Sequence, residues 1–199
     1  TSQKVQVAVR MRPLLNEFRM NRHGWWMNAA ILYPRYPANS TSMIPSQRSG
    51  ILVVLQHAFS FDYVFAHETT TVQIFERSCA RLVDAFINGS NSTIFVYGQT
   101  TSGKTFTMLG ASKQRGIIGY SLQEIYSRIK LGRNAQLAVS YLEIYNEQIN
   151  DLLSPGAVNL RLQEENHAVQ VLGLTQHRAD DLRQAESLLA RGEEQRCYK

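Results

Sequence analysis

The residues between Tyr97 and Thr107 read YGQTTSGKTFT, and within them Gly98 to Thr105 fit the spacing G-x-x-x-x-G-K-T. That spacing suits phosphate chemistry. Gly98 and Gly103 let the backbone curl so that successive N–H groups of Gln99, Thr100, Thr101 and Ser102 point into one hollow, where they can meet phosphate oxygens. Lys104 can reach β- and γ-phosphates, and the Thr105 hydroxyl is of the kind that ligates Mg²⁺. A chain of this length meets the pattern by accident about once in a hundred. The flanks lower those odds: an apolar run, STIFVYGQ, reads as a strand entering the loop, and a helix is expected to start at Lys104. Phosphoryl transfer also needs a strand-end acid to hold the metal through water and a group to position the attacking water or hydroxyl. Neither is evident here. Glu143, in VSYLEIYNE, is the best local acid, but it lies inside a longer pattern and reads better as structural or surface.

These residues need elements to hold them. Val5 to Val9 alternate as VQVAV and lead into RMRP, a strand with basic side chains at its exit. Residues 19–50 lose all periodicity and hold three of the five prolines and both tryptophans, so a long surface excursion with one or two short strands is expected, with Trp25 and Trp26 seeking burial. Ile51–Leu55 and Phe59–Asp62 read as strands. Between Glu68 and Gly89, Val72, Phe75, Cys79, Leu82, Val83 and Phe86 recur at three and four residues; Thr69 to Thr71 offer an N-cap and Gly89 a stop. A second helix is expected from Tyr120 to Ile129, and a mostly buried strand across Ala135–Glu147. Ser154–Gly156 then make a turn before short strands at Asn159–Glu164 and Ala168–Thr175. A last helix runs from Asp181 to Arg191, with Leu182, Ala185, Leu188 and Leu189 inward and Gly192 ending it. The order of elements predicts an α/β fold around a central sheet.

With 199 residues, 44% apolar and 19% charged, the chain is expected to be one globular domain or part of a larger one. It has no apolar run of bilayer length and no signal-peptide layout, which points to the cytosol. Cys79 and Cys197 lack metal or redox spacing and are expected to be reduced; five scattered histidines make no metal pattern. The formal charge of +5 favours acidic partners in general, but no run of Lys and Arg marks one out, and an ordinary solvated basic surface accounts for it.

Val7–Leu14 (VAVRMRPL), Phe61–Phe65 (FDYVF), Ser92–Gly110 (STIFVYGQTTSGKTFTMLG), Gly116–Ile118 (GII) and Val139–Leu153 (VSYLEIYNEQINDLL) resemble the kinesin motor domain, in its order and at its spacings, over nearly the whole chain. The resemblance implies a P-loop NTPase-like kinesin motor fold, a central mixed β-sheet flanked by helices, incomplete on its C-terminal side, with residues 1–199 as the N-terminal part of a single motor domain. It implies ATP or ADP and Mg²⁺ as ligands. Arg10 and Pro13 would border the adenine, and Gly98, Gln99, Thr100, Thr101, Ser102, Gly103, Lys104 and Thr105 would cradle the phosphates. Lys104 and Thr105 would carry the catalytic contribution, with Thr105 on the metal. Phe106 would lie near the base, with core packing as an equal alternative. The implied partner is the microtubule, with neither nucleic acid nor membrane bound. The implied location is cytoplasm and cytoskeleton, the spindle included, and the full-length protein would dimerise through a stalk. Ser154–Gly173 matches a loop region that touches the microtubule, where Arg161 could meet acidic tubulin or simply be solvated.

The departures are specific. GSNSTIF places Ser90 and Ser92 where relatives have G-Y-N-G-T-I-F, and GIIGY puts Gly119 and Tyr120 where relatives have Pro and Arg, which is expected to weaken the local order. The chain reaches GEEQRCYK, a wording similar to the centromere-associated mitotic kinesins, without N-x-x-S-S-R-S-H or D-x-A-G-x-E. These are the motifs that sense the γ-phosphate. A complete motor would be a microtubule-stimulated ATPase, whereas residues 1–199 alone are expected to turn over little or nothing. Two other readings are a non-catalytic, kinesin-derived nucleotide-binding or scaffolding module, and a small-molecule P-loop kinase, for which the arginine clusters and lid are not seen.

Overall fold

A computed structural model of the chain describes residues 5–12, 25–28, 31–34, 50–54, 57–111, 114–129, 135–165 and 168–196. The chain divides into two compact units, Thr1–Ser121 and Leu122–Lys199. Pro13, Cys197 and most of the 19–50 excursion, with the side chains of its two tryptophans, lie outside the described residues.

In the first unit β1 (Ala8–Arg10) follows the alternating VQVAV run. Two antiparallel hairpins come next, β2 (Trp25–Asn28) with β3 (Ile31–Pro34) and β4 (Gly50–Val54) with β5 (His57–Phe61). β6 (Tyr63–Phe65) then lies parallel to β1, with Val9 opposite Val64. The Asp62 carboxylate extends that pairing by accepting from the Val7 N–H at 2.9 Å. Phe65 is 1% exposed and stacks on Tyr63 while the Arg77 guanidinium covers it at 5.4 Å, so the parallel pair carries the centre of this unit's core.

The expected helix forms in three parts: α1 (Thr71–Ile74), a π-helical turn (Phe75–Cys79) and α2 (Ala80–Ile87). Thr70 caps it reciprocally with Gln73, satisfying two N–H groups that a helix start otherwise leaves open. The C-terminus closes as a Schellman motif, Gly89 N–H to Phe86 O and Ser90 N–H to Ala85 O, both at 2.9 Å. The π turn was not legible in the sequence. It inserts extra backbone between Phe75 O and Ala80 N and rotates the faces, so Ile74, Phe75, Cys79 and Val83 are buried, joined by Thr71, while Phe86 is 45% exposed. Each of the buried apolar side chains contributes about 1.5–3 kcal/mol. Among the described residues Cys79 is a free thiol, and burial raises its pKa above the ordinary thiol value, its contact with Ser78 opposing the rise.

The apolar run Ser92–Gln99 departs from expectation. It makes no ladder with any described residue, and Phe95 and Tyr97 are 76% and 95% exposed. A parallel strand exists only when neighbours distant in sequence supply its hydrogen bonds, and the run's own pattern cannot supply them. Past it come α3 (Lys104–Met108) and the small hairpin β7 (Gly110–Ala111) with β8 (Gln114–Arg115).

α4 (Ile117–Ile129) starts three residues before the expected Tyr120, with Tyr120 N–H bonded to Gly116 O at 3.1 Å. The absent helix-starting proline does not prevent it, and Tyr120 stacks on Phe75 with ring centroids 5.7 Å apart.

In the second unit the long strand expected over Ala135–Glu147 is split into β9 (Leu137–Val139) and β10 (Leu142–Tyr145). β10 turns back through Asn146 and Glu147, both at positive φ (47° and 63°), into β11 (Gln148–Asp151). Two central residues at positive φ match the twist of the flanking strands, which makes this two-residue connection a hairpin. Ile144 is 68% exposed, so the run is less buried than its composition suggested. β12 (Arg161–Glu165) and β13 (Ala168–Leu172) form an exposed hairpin that carries Arg161, and β14 (His177–Ala179) pairs antiparallel with β9.

α5 (Leu182–Gln195) is capped by Asp181 on Gln184 N–H and runs through Gly192, where the sequence predicted its stop. Gly192 is buried against the Tyr141 ring: a Cβ there would stand 2.3 Å from a ring carbon, so the glycine serves close packing rather than termination. Tyr126, Ala179 and Ala185 are the buried centre, surrounded by Leu122, Leu137, Val139, Leu182 and Leu188; the Tyr126 hydroxyl donates to Ala179 O at 2.7 Å. The mixed helix and strand content agrees with an α/β fold, although among the described residues each ladder joins two strands and none extends into a single central sheet.

Candidate functional site

The loop from Gly98 to Thr105 is built from its backbone outward. Ser102 N–H donates to Gln99 O at 3.1 Å, closing a turn, and Thr101 and Gly103 both take left-handed conformations (φ 68° and 99°). At Gly103 this carries no Cβ penalty, and the chain enters α3 directly. The N–H groups of Lys104, Thr105 and Phe106 find no backbone acceptor among the described residues, as at any helix start.

Lys104 folds its ammonium back across this turn, donating to Gly98 O at 2.7 Å and Gln99 O at 2.9 Å. A flexible ammonium resting on two neutral carbonyls can exchange them for phosphate oxygens, which are stronger acceptors. Thr100 and Thr105 are exposed, Ser102 is half-buried, and no carboxylate lies between Tyr97 and Thr107 to compete for the cation.

The end of β1 and the residues just after it bring two arginines to this region, Arg10 to α3 and Arg12 to the loop. Arg10 donates from Nη1 to Thr107 Oγ1 at 2.9 Å, and its guanidinium covers the Phe106 ring at 5.2 Å. Burial draws the Arg10 pKa below its ordinary value. Arg12 Nη1 donates to Thr101 O, bracing the strained residue. The structure thus brings together Arg10, Phe106 and the whole of Gly98–Thr105; Pro13 is outside the described residues.

Two contributors were missed in the sequence. Arg12 follows Arg10 by two residues, the spacing that puts side chains on one face of a strand, and that was the available signal. Thr107 stands four residues after Gly103, and its hydroxyl donates back to Gly103 O at 2.9 Å, a habit of helical threonines that no motif flags. Glu143, the candidate acid, is instead engaged across the hairpin by Asn150 Nδ2 at 3.5 Å. Among the described residues no cluster of three or more His, Cys, Asp or Glu could hold a metal by itself, and no helix is long and apolar enough to cross a membrane. A Mg²⁺ held mainly by phosphates and one hydroxyl is compatible with that donor set.

The family model for the kinesin motor domain matches residues 10–199. The chain belongs to the kinesin motor domain family. Among curated kinesins it is 36% identical over 197 residues to Kinesin-like protein KIN-7D, chloroplastic, of Oryza sativa subsp. japonica, covering 98% of this chain and 18% of that protein. It is 32% identical over 199 residues to Kinesin-like protein KIN-8A of Arabidopsis thaliana, covering 97% and 27%. A solved structure of a fast kinesin superposes with a TM-score of 0.76 at 30% identity, covering 96% of this chain and 52% of that one. The chain therefore spans about half of a solved kinesin chain and between about an eighth and about a quarter of such curated relatives. The kinesin fold is common to both, and with it nucleotide binding as a property of the family.

Proposed function

We propose that this chain is the ATP-binding portion of a microtubule-dependent kinesin motor, the N-terminal part of a single motor domain, which in its complete form couples microtubule-stimulated ATP hydrolysis to movement along microtubules. The observation that carries this reading is the Lys104 ammonium on the carbonyls of Gly98 and Gln99, at the mouth of a loop flanked by the Arg10–Phe106 pair. Family membership supports the rest, including a cytoskeletal location and a dimer formed through a stalk.

Lys104 moves from the two carbonyls to the β- and γ-phosphate oxygens, and the N–H groups at the start of α3 bind the same oxygens. Thr105 would hold Mg²⁺ through its hydroxyl, and the ion would supply positive charge to the phosphates. Arg10 and Phe106 orient the base, so that the phosphates enter the loop in one register. These residues bind and orient but activate no water, so residues 1–199 alone turn over little ATP.

The test is equilibrium dialysis of the chain with Mg·ATP, beside Lys104→Ala. The expected result is saturable binding that the substitution weakens by about a hundredfold or more, because a charge-assisted contact to phosphate is lost. Equal binding by both proteins removes this site from the proposal. In a longer protein carrying a complete motor domain, Lys104→Ala is expected to abolish microtubule-stimulated phosphate release.

A further inference from the structure

We infer that Thr107 is a positioning residue that couples the base-side arginine to the phosphate loop, so that this chain reads base and phosphate as one unit. The inference rests on the nucleotide-binding reading above and adds a residue outside the Gly98–Thr105 motif. The Thr107 side chain is buried, and its single hydroxyl is used twice. It donates to Gly103 O at 2.9 Å, leaving its lone pairs to accept from Arg10 Nη1, also at 2.9 Å. Backbone reinforces the link, since Thr107 N–H donates to the same Gly103 carbonyl at 2.9 Å.

The chain of contacts has a direction. Arg10 N–H donates to Thr107 Oγ1, and Thr107 O–H donates to Gly103 O, so each bond polarises the next. Gly103 is the left-handed residue on which the loop turns into α3, immediately before Lys104. Holding its carbonyl fixes that peptide, and with it the aim of the Lys104 N–H. Arg10 for its part has two restraints on its guanidinium, the Phe106 ring at 5.2 Å and the Thr107 hydroxyl, which leave its other N–H donors one orientation from which to serve a base. Removing the Thr107 hydroxyl uncouples Arg10 from the loop, while the Thr107 N–H keeps its own bond to Gly103 O. Valine keeps the shape and loses both bonds, whereas serine keeps the hydroxyl.

The experiment is a double-mutant cycle on the full 199-residue chain, reading affinity for Mg·ATP and, separately, for magnesium tripolyphosphate, which has no base. Thermal unfolding of each variant checks the fold. Thr107→Val and Arg10→Ala are each expected to lower Mg·ATP affinity by about tenfold, the usual weight of one hydrogen bond to a charged group. The double variant should fall no further than either alone, because the two residues act through one link. Tripolyphosphate affinity should stay within about twofold in both single variants, and Thr107→Ser should restore Mg·ATP binding. Losses that multiply in the double variant overturn the coupling. So does a Thr107→Val loss that is equal for ATP and tripolyphosphate, which would reduce the residue to loop folding. If the unsubstituted chain binds neither ligand, the nucleotide-binding reading itself falls; if it binds both and the cycle is additive, this inference falls alone.

Discussion

Thr101 is the residue on which the Gly98–Thr105 loop spends conformational energy. A β-branched side chain at φ 68° is an outlier, and the Arg12 bond to its carbonyl helps to hold it there. Asparagine tolerates that conformation better and keeps the unfolded chain nearly as restricted. Thr101→Asn is therefore expected to raise stability by about 0.5–1 kcal/mol, read as a higher midpoint in urea unfolding; a lower midpoint would show that the threonine side chain makes up its own strain. The turn between Gly98 and Gly103 and the helix start at Lys104 could be read from the G-x-x-x-x-G-K-T spacing alone, because the residues that make them are neighbours in sequence. Thr107 and Arg12 could not, since their value lies in which carbonyls and hydroxyls they reach across 97 and 89 residues of sequence.

At the scale of elements, caps made by neighbouring side chains were legible, whereas features set by packing were not. The Thr70 cap follows from local chemistry, and Thr70→Ala is expected to cost about 1 kcal/mol by equilibrium unfolding. The π turn at Phe75–Cys79 and the passage of α5 through Gly192 follow instead from packing. Glycine near the end of an apolar pattern normally marks a stop, but here the Tyr141 ring occupies the space a Cβ needs, and the Tyr141 hydroxyl donates to Glu193 one residue on. Gly192→Ala is expected to destabilise the chain by about 1–3 kcal/mol through overpacking, although alanine is the better helix former; a stabilised variant would mean that α5 does not seat against Tyr141.

At the scale of the molecule, Asp151 links folding to pH. Burial raises its pKa, but bonds from the Thr175 hydroxyl and from the Thr175, Leu153 and Ser154 backbone N–H groups outweigh that and leave it below its ordinary 3.8. The folded state thus prefers the carboxylate more than the unfolded state does. Its stabilising contribution is complete above pH 3.8 and is lost as pH falls through the lower folded value. Urea unfolding from pH 7 downward should show stability declining below about pH 4, and Asp151→Asn should flatten that decline while costing about 2–3 kcal/mol at neutral pH, because an amide turned toward these donors leaves one unsatisfied. An unchanged acid profile in the variant would assign the decline to other carboxylates.

The sequence by itself determined the family, the helix start at Lys104 and both caps of the helix from Thr71 to Ile87, because each is written in residues close together whose local chemistry admits few alternatives. Only the tertiary structure decided that Ser92–Gln99 lacks a ladder among the described residues, that Ala135–Glu147 breaks into two strands, and that Arg10, Thr107 and Gly103 form one line of hydrogen bonds. Strand pairing and side-chain reach depend on partners far away in sequence, and a periodic pattern records which face a residue prefers without recording what will stand opposite it.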